Sequence, residues 1–197
     1  MRTSRHSERC EGSFPLSLFF SFSLSLFVPP LAAQTIPDRP LRSGTVAFDG
    51  GGTLGDFTGT SDSVRGWLAG GADLEAVRGW VEADAATLAT GNDRRDRDMA
   101  KSLEVTRFPV LRFDLDAVDV GEASGDSVSV TLRGRFTIHG VTREEQVRGW
   151  IWRLGERLRF RGTTPMNLKD YQIGGLRKLL GMLRMYEDIV VRVDLEF

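Results

Sequence analysis

Between Asp126 and His139 the chain alternates strictly. Val128, Val130, Leu132, Gly134, Phe136 and Ile138 occupy one phase, and Ser127, Ser129, Thr131, Arg133, Arg135 and Thr137 the other. A two-residue period sorts side chains onto the two faces of a strand, so this segment has one buried and one solvated face. The pattern recurs. Ile189, Val191, Val193, Leu195 and Phe197 alternate with Val190, Arg192, Asp194 and Glu196. Leu158, Phe160, Gly162, Thr164 and Met166 alternate with arginines and Thr163, and Leu111, Phe113 and Leu115 with Arg112, Asp114 and Asp116. Val46 and Phe48 open the series, and 56–68, 77–85 and 141–152 complete about eight strands. Strands with one polar face and short connections make an antiparallel barrel or sandwich. Two segments carry a helical signature instead. Asp93–Glu104 is highly charged with Met99 and Leu103 four apart, and Gly175–Met185 places Leu176, Leu179, Leu180 and Leu183 on one stripe.

The start of the chain has the layout of a secretory signal. Arg2, Arg5 and Arg9 precede an uncharged run, Phe14–Val28, and Pro29-Pro30 leads to Leu31-Ala32-Ala33. The run is shorter than the ~20 residues a membrane span needs. Its Ser/Leu alternation at 16–26 also fits a strand template. Cleavage after Ala33 divides the chain into a removed signal, 1–33, and a single domain, 34–197. That domain holds no cysteine and one histidine, His139. The expected location is the periplasm or the exterior. A net charge of −1 argues against a nucleic-acid partner, and 41% hydrophobic residues argue against disorder. With one cysteine, Cys10, neither an intrachain disulfide nor a cysteine-rich zinc site is available.

Val-Arg-Gly-Trp occurs three times, at 64–67, 77–80 and 147–150. For the first two copies one hairpin register sets Arg65 opposite Trp80 and Trp67 opposite Arg78, two cross-strand cation–π pairs. The alternative is chance reuse of a good strand word. Gly66, Gly79, Gly134, Gly149 and Gly162 all fall on the inward phase. Either they relieve tight bending or they leave the interior hollow for a ligand. The remaining inward residues are apolar, so a hollow interior selects an apolar chain.

Several blocks then resemble the YceI-like family. They are Gly59, Thr90-Gly91-Asn92 with Arg95-Asp96 and Leu103, Phe108-Pro109-Val110-Leu111-Arg112-Phe113, and Gly134-Arg135-Phe136-Thr137-Ile138-His139-Gly140-Val141-Thr142. The resemblance covers roughly 44–197. It departs from the family where Arg-x-Asp-Phe-Gly is common and Leu168-Lys169-Asp170-Tyr171-Gln172 stands here. It implies an all-β fold, an eight-stranded up-and-down antiparallel lipocalin-like barrel with one or two short helices. It also implies an amphiphilic lipid ligand, isoprenoid or fatty-acyl, and brings no catalytic residue.

The expected lining is Val46, Phe48, Leu111, Phe113, Leu132, Phe136, Phe160 and Val193. Arg94 and Arg95 are candidate head-group contacts; the alternative is a self-paired, solvated helix start. His139 reads as a turn residue rather than a general base, and Thr164 is the inward polar residue an enzyme would need. No cofactor, catalytic residue or metal is expected. The 175–185 helix is expected to plug one barrel end, close it as a lid, or touch a membrane surface. Oligomeric state is left open. Two other classes stand beside a lipid carrier: an envelope stress or interaction protein with a plugged barrel, and an enzyme acting on a pore-bound lipid.

Overall fold

The computed structural model describes residues 35–174 and 185–197, and between them the backbone pairing of Arg177–Lys178 with Leu183–Arg184. The predicted signal segment lies outside the described residues. The hydrogen-bonded stretches of the main sheet resolve into eight strands, two of them interrupted. Strand β1 comprises Arg39–Pro40 and Ser43–Gly50, and β2 comprises Phe57–Ser61 and Val64–Ala69. Then follow β3 (Arg78–Asp84), β4 (Val110–Ser124), β5 (Ser127–Ile138), β6 (Val141–Leu154), β7 (Arg157–Asn167) and β8 (Asp188–Glu196). Each strand pairs antiparallel with the next.

The sheet closes on itself. On one side of the interruption Val46 pairs with Ser61 and Gly50 with Phe57; on the other Pro40 pairs with Trp67 and Arg39 with Leu68. These pairs keep one register across the break, and the Leu41 amide bridges it by donating to the Gly66 carbonyl at 2.9 Å. So β1 lies along both halves of β2 while its other edge pairs with β8. Closure removes the open edges of a sheet. The eight-stranded expectation holds, and β4 runs well past the predicted 111–115. It reaches Ser124 through two bulges, between Leu115 and Ala117 and between Val120 and Ala123.

Inward side chains form two apolar clusters. One includes Leu68, Val118, Leu132, Phe160 and Leu195, the other Phe48, Leu103, Ile138, Tyr171 and Val191; Phe136 and Val193 pack against both. The charged helix forms as α1, Asp93–Ser102. Over the predicted 175–185 helix, by contrast, Arg177–Lys178 pairs antiparallel with Leu183–Arg184. Backbone pairing across the connection prevails there over the leucine stripe. Residues 175–176 and 179–182, and with them the plug, lid and membrane-contact expectations, lie outside the described residues.

The Val-Arg-Gly-Trp register also differs from expectation. The strands that carry the first two copies do pair, but the copies meet only where Trp67 stands opposite Trp80, and Arg65 stands opposite Glu82. The reason is ionic. Arg65 meets Glu82 at 2.6 Å, and Glu82 is shared with Arg112 at 2.6 Å. The Arg112 guanidinium lies 5.0 Å from the Trp80 ring centroid, so Trp80 finds its cation on β4 rather than on β2. A desolvated carboxylate between two arginines outweighs two exposed cation–π contacts.

Candidate ligand-binding cavity

The barrel encloses a cavity of about 440 Å³, within the ~300–1,000 Å³ range of small-molecule sites. All eight predicted lining residues border it: Val46, Phe48, Leu111, Phe113, Leu132, Phe136, Phe160 and Val193. They come from β1, β4, β5, β7 and β8, so the alternation that hides them from water also brings them together. Thr164 is 2% exposed but does not border the cavity, and its hydroxyl is directed to the Pro165 carbonyl at 3.3 Å.

The hollow does not arise from missing glycine side chains. Of the five inward glycines only Gly79 borders the cavity. A Cβ on Gly66 would come within 2.7 Å of the Trp80 carbonyl oxygen. Corresponding carbons on Gly79, Gly134 and Gly149 would strike the carbonyls of Trp67, Asp114 and Arg161. These glycines let neighbouring backbones close up where the sheet coils. They shape the interior at one remove, because aromatic rings settle on them. The Phe160 ring covers Gly162, Phe113 lies against Gly134, and Phe48 covers Gly59. Phe113 also packs on Phe136, with centroids 4.6 Å apart. Rings laid along the wall leave the centre open.

Helix α1 forms one rim of the cavity through Asn92, Arg94, Arg95, Asp98, Met99, Ser102 and Leu103. Its position is set at both ends. Asn92 caps it by accepting the amides of Arg94 and Arg95, each at 3.1 Å; an asparagine there satisfies donors that the first turn leaves orphaned. At the other end the Glu104 amide donates to the Lys101 carbonyl and that of Val105 to Ala100, both at 3.2 Å. Glu104 takes φ 47°, where glycine is the usual residue. This turn buries Leu103.

The charges on α1 are not mutually cancelled. Asp96 is engaged by Thr90, accepting from its amide at 2.9 Å and its hydroxyl at 2.6 Å. The Arg95 guanidinium lies over the Phe57 ring, 4.2 Å from the centroid. Neither Arg94 nor Arg95 forms an ion pair with a carboxylate among the described residues, although Arg94 has Asp98 at the favourable i, i+4 spacing. Among the described residues the cavity's other lining arginine is Arg159, between Leu158 and Phe160 of the first apolar cluster, held by Asp194 at 2.7 Å.

Sequence reasoning missed the loop after β1. Gly52 and Gly55 exchange backbone hydrogen bonds at 3.2 and 3.0 Å, which turns Leu54 outward at the rim with 81% exposure. The glycine run at 50–52 signalled a turn, but nothing in the period announced its leucine as lining.

His139 does not border the cavity. It takes φ 52° and Gly140 φ 73° in the two-residue turn between β5 and β6, the pattern of a type I′ hairpin. A Cβ on Gly140 would approach Phe108 to 2.5 Å, and Phe108 packs edge-on against the imidazole. His139 Nδ1 lies 3.2 Å from the Tyr171 carbonyl. A carbonyl only accepts, so Nδ1 carries the proton. Nε2 is buried 3.3 Å from Glu104 Oε1 without a hydrogen bond. Tyr171 is fully buried and its hydroxyl donates to Glu145 at 3.0 Å. Burial first, and the Glu145 carboxylate second, push the phenol above its ordinary value. These contacts join the hairpin, the end of α1 and the 168–171 turn.

Comparison with known proteins agrees with this architecture. A UPF0312 protein of Pseudomonas putida (strain W619) is 32% identical over 136 residues, 63% of this chain and 64% of that protein. A UPF0312 protein of Pseudomonas savastanoi pv. phaseolicola is 31% identical over 134 residues, with the same shares. The chain thus spans a little under two thirds of these relatives' length. Among solved structures, a polyisoprenoid binding domain from Saccharophagus degradans aligns with TM-score 0.67 at 19% identity, over 82% of this chain and 97% of that one. Burkholderia cenocepacia BcnA aligns with TM-score 0.66 at 14% identity, over 78% and 96%. At such identities the likeness concerns the fold. The family model of the YceI-like domain matches residues 42–197, most of the chain and all eight strands but the first two residues of β1, and the chain belongs to that family.

Proposed function

We propose that this protein binds and carries an amphiphilic lipid, with an isoprenoid or fatty-acyl chain, in its barrel cavity and performs no chemistry on it. The supporting observation is the cavity itself, about 440 Å³ and bordered by Val46, Phe48, Leu111, Phe113, Leu132, Phe136, Phe160 and Val193. Each methylene moved out of water contributes ~0.8 kcal/mol, so a long chain binds without elaborate polar recognition. YceI-like membership and the polyisoprenoid-binding structural neighbour support a lipid ligand. The signal-like start of the sequence supports a periplasmic or secreted location. His139 is assigned to the turn and Thr164 to packing, so the reading needs no catalytic residue and no cofactor.

The test is mass spectrometry of protein purified from its native host, intact and after organic extraction. A stoichiometric lipid supports the carrier, and its mass gives the ligand class. A clean mass that persists after incubation with prenyl and acyl lipids overturns it in favour of an interaction protein.

A further inference from the structure

The lipid reading leaves the polar end of the ligand unspecified, and the arginines of the molecule address it. On the outer wall, arginines meet carboxylates: Arg133 with Asp119 at 2.6 Å, Arg157 with Glu196 at 2.9 Å, and Arg192 with Asp49 at 2.7 Å. Arg159, which also borders the cavity, is held by Asp194, a carboxylate it shares with Arg161. Arg94 and Arg95 are different on two counts. Both border the apolar cavity, and neither guanidinium has a carboxylate partner among the described residues. Of the acids beside them, Asp96 is turned away to hold Thr90. Arg95 is further held in place by Phe57, a ring that offers a cation a surface but no neutralising charge.

Resting on the carrier reading, we infer that the ligand is an acid: an amphiphile whose head is a carboxylate or a phosphate, received by Arg94 and Arg95 while its chain fills the barrel. A guanidinium presents a planar fork that matches either oxyanion. Bordering apolar surface lowers the local screening that weakens exposed ion pairs. Neutral alcohols of the same chain length would bury the same carbon and leave both arginines unanswered.

Titration calorimetry on the full protein, with lipids delivered from cyclodextrin, tests this. Hexadecanoic acid is compared with hexadecanol, and farnesyl phosphate with farnesol, at low and high salt. The expected result is that one acid or both bind about tenfold more tightly than the matching alcohol. Added salt should erase most of that margin. Which acid shows it tells carboxylate from phosphate. The double variant Arg94→Gln/Arg95→Gln should lose the preference while keeping alcohol binding. Arg148→Gln, an exposed arginine outside the rim, should change neither. Equal binding of acid and alcohol by the unmodified protein, indifferent to salt, overturns the inference and leaves the carrier intact. Failure of all four lipids to bind overturns the carrier and the inference with it. The salt comparison needs no variant, so a folding defect cannot mask the answer.

Discussion

Arg112 on the wall and Arg94 on α1 sit in equally charged surroundings and meet opposite fates. Arg112 bonds Asp114 through Nε and Nη2 and Glu82 through Nη1, while Trp80 covers its face. Arg94 follows an aspartate and has another four residues on, yet pairs with neither. The difference lies in the element. On a sheet, the register sets a side chain beside fixed neighbours on two adjoining strands, so an arginine is surrounded before it chooses a rotamer. On an exposed helix an i, i+4 partner contributes only ~0.2–0.5 kcal/mol, too little to hold two long side chains together. The sheet register thus fixes Arg112 between carboxylates, while Arg94 and Arg95 at the rim keep their charge.

Three experiments break or sharpen that contrast and a fourth lies outside it, in descending order of effect. Phe136→Asp puts a carboxylate on the cavity side of β5, three residues from the wall's Arg133. It should abolish binding of a fluorescent lipid and cost ~3 kcal/mol or more of stability in denaturant titration. Arg133→Asp sets two acids together with Asp119 and should cost only ~1 kcal/mol with binding preserved. Equal effects would mean that inside and outside are misassigned. Next, Arg112→Ala should lower stability by ~1–2 kcal/mol, because it takes one of two arginines from the largely buried Glu82 carboxylate and the fork from Asp114. Arg94→Ala with Arg95→Ala should stay within ~0.5 kcal/mol of the parent. A reversal of those two costs would remove the distinction between wall and rim.

The third concerns acid. Hydrogen bonding from Arg159, then from Arg161, holds the Asp194 carboxyl below its ordinary value against the opposing effect of burial. Because the folded value is the lower one, the stabilisation is complete above the ordinary carboxylate range. It is lost as pH falls through the folded value. Asp194→Asn should therefore flatten the acid side of the melting-temperature profile below pH ~4 and leave lipid binding unchanged. An unchanged acid profile would show the Arg159–Asp194–Arg161 cluster to be inert. The smallest effect touches neither set of arginines. Gln172 takes φ 57° after the 168–171 turn, at the position where the family pattern has glycine. Gln172→Gly should add ~0.5–1 kcal/mol by relieving left-handed strain. A loss of stability would mean that the glutamine side chain contributes something its geometry does not disclose.

How much was legible in the chain follows the same division. The barrel wall could be read because its information is periodic. Val128 to Ile138 declare a face two residues at a time, and the face carries Leu132 and Phe136 to the cavity without any knowledge of their partners. Register was not legible between 64–67 and 77–80. It depends on Glu82 meeting Arg65 and Arg112 together, and Arg112 comes from a third strand. The inward glycines were placed on the right phase, but their purpose needed the neighbouring carbonyls and the rings of Phe48, Phe113 and Phe160. The leucine stripe at 176–183 suited a helix locally, whereas Arg177–Lys178 and Leu183–Arg184 pair as strands. Leu54 reached the rim through a glycine turn that has no period at all.

The register kept across the break between β1 and β2 bears on how the proposed ligand would come and go. A curled sheet with a seam could part along it and admit a chain sideways. Here every strand has ladder partners on both sides, so lateral entry would demand rupture of a run of backbone hydrogen bonds. If the protein is the lipid carrier proposed above, loading becomes threading: the tail would go in first through an end and the head group would stop at the mouth. Residence time then follows the fit at the rim, not the strength of the staves. Ligand exchange should proceed without faster deuterium uptake in the β1–β2 amides.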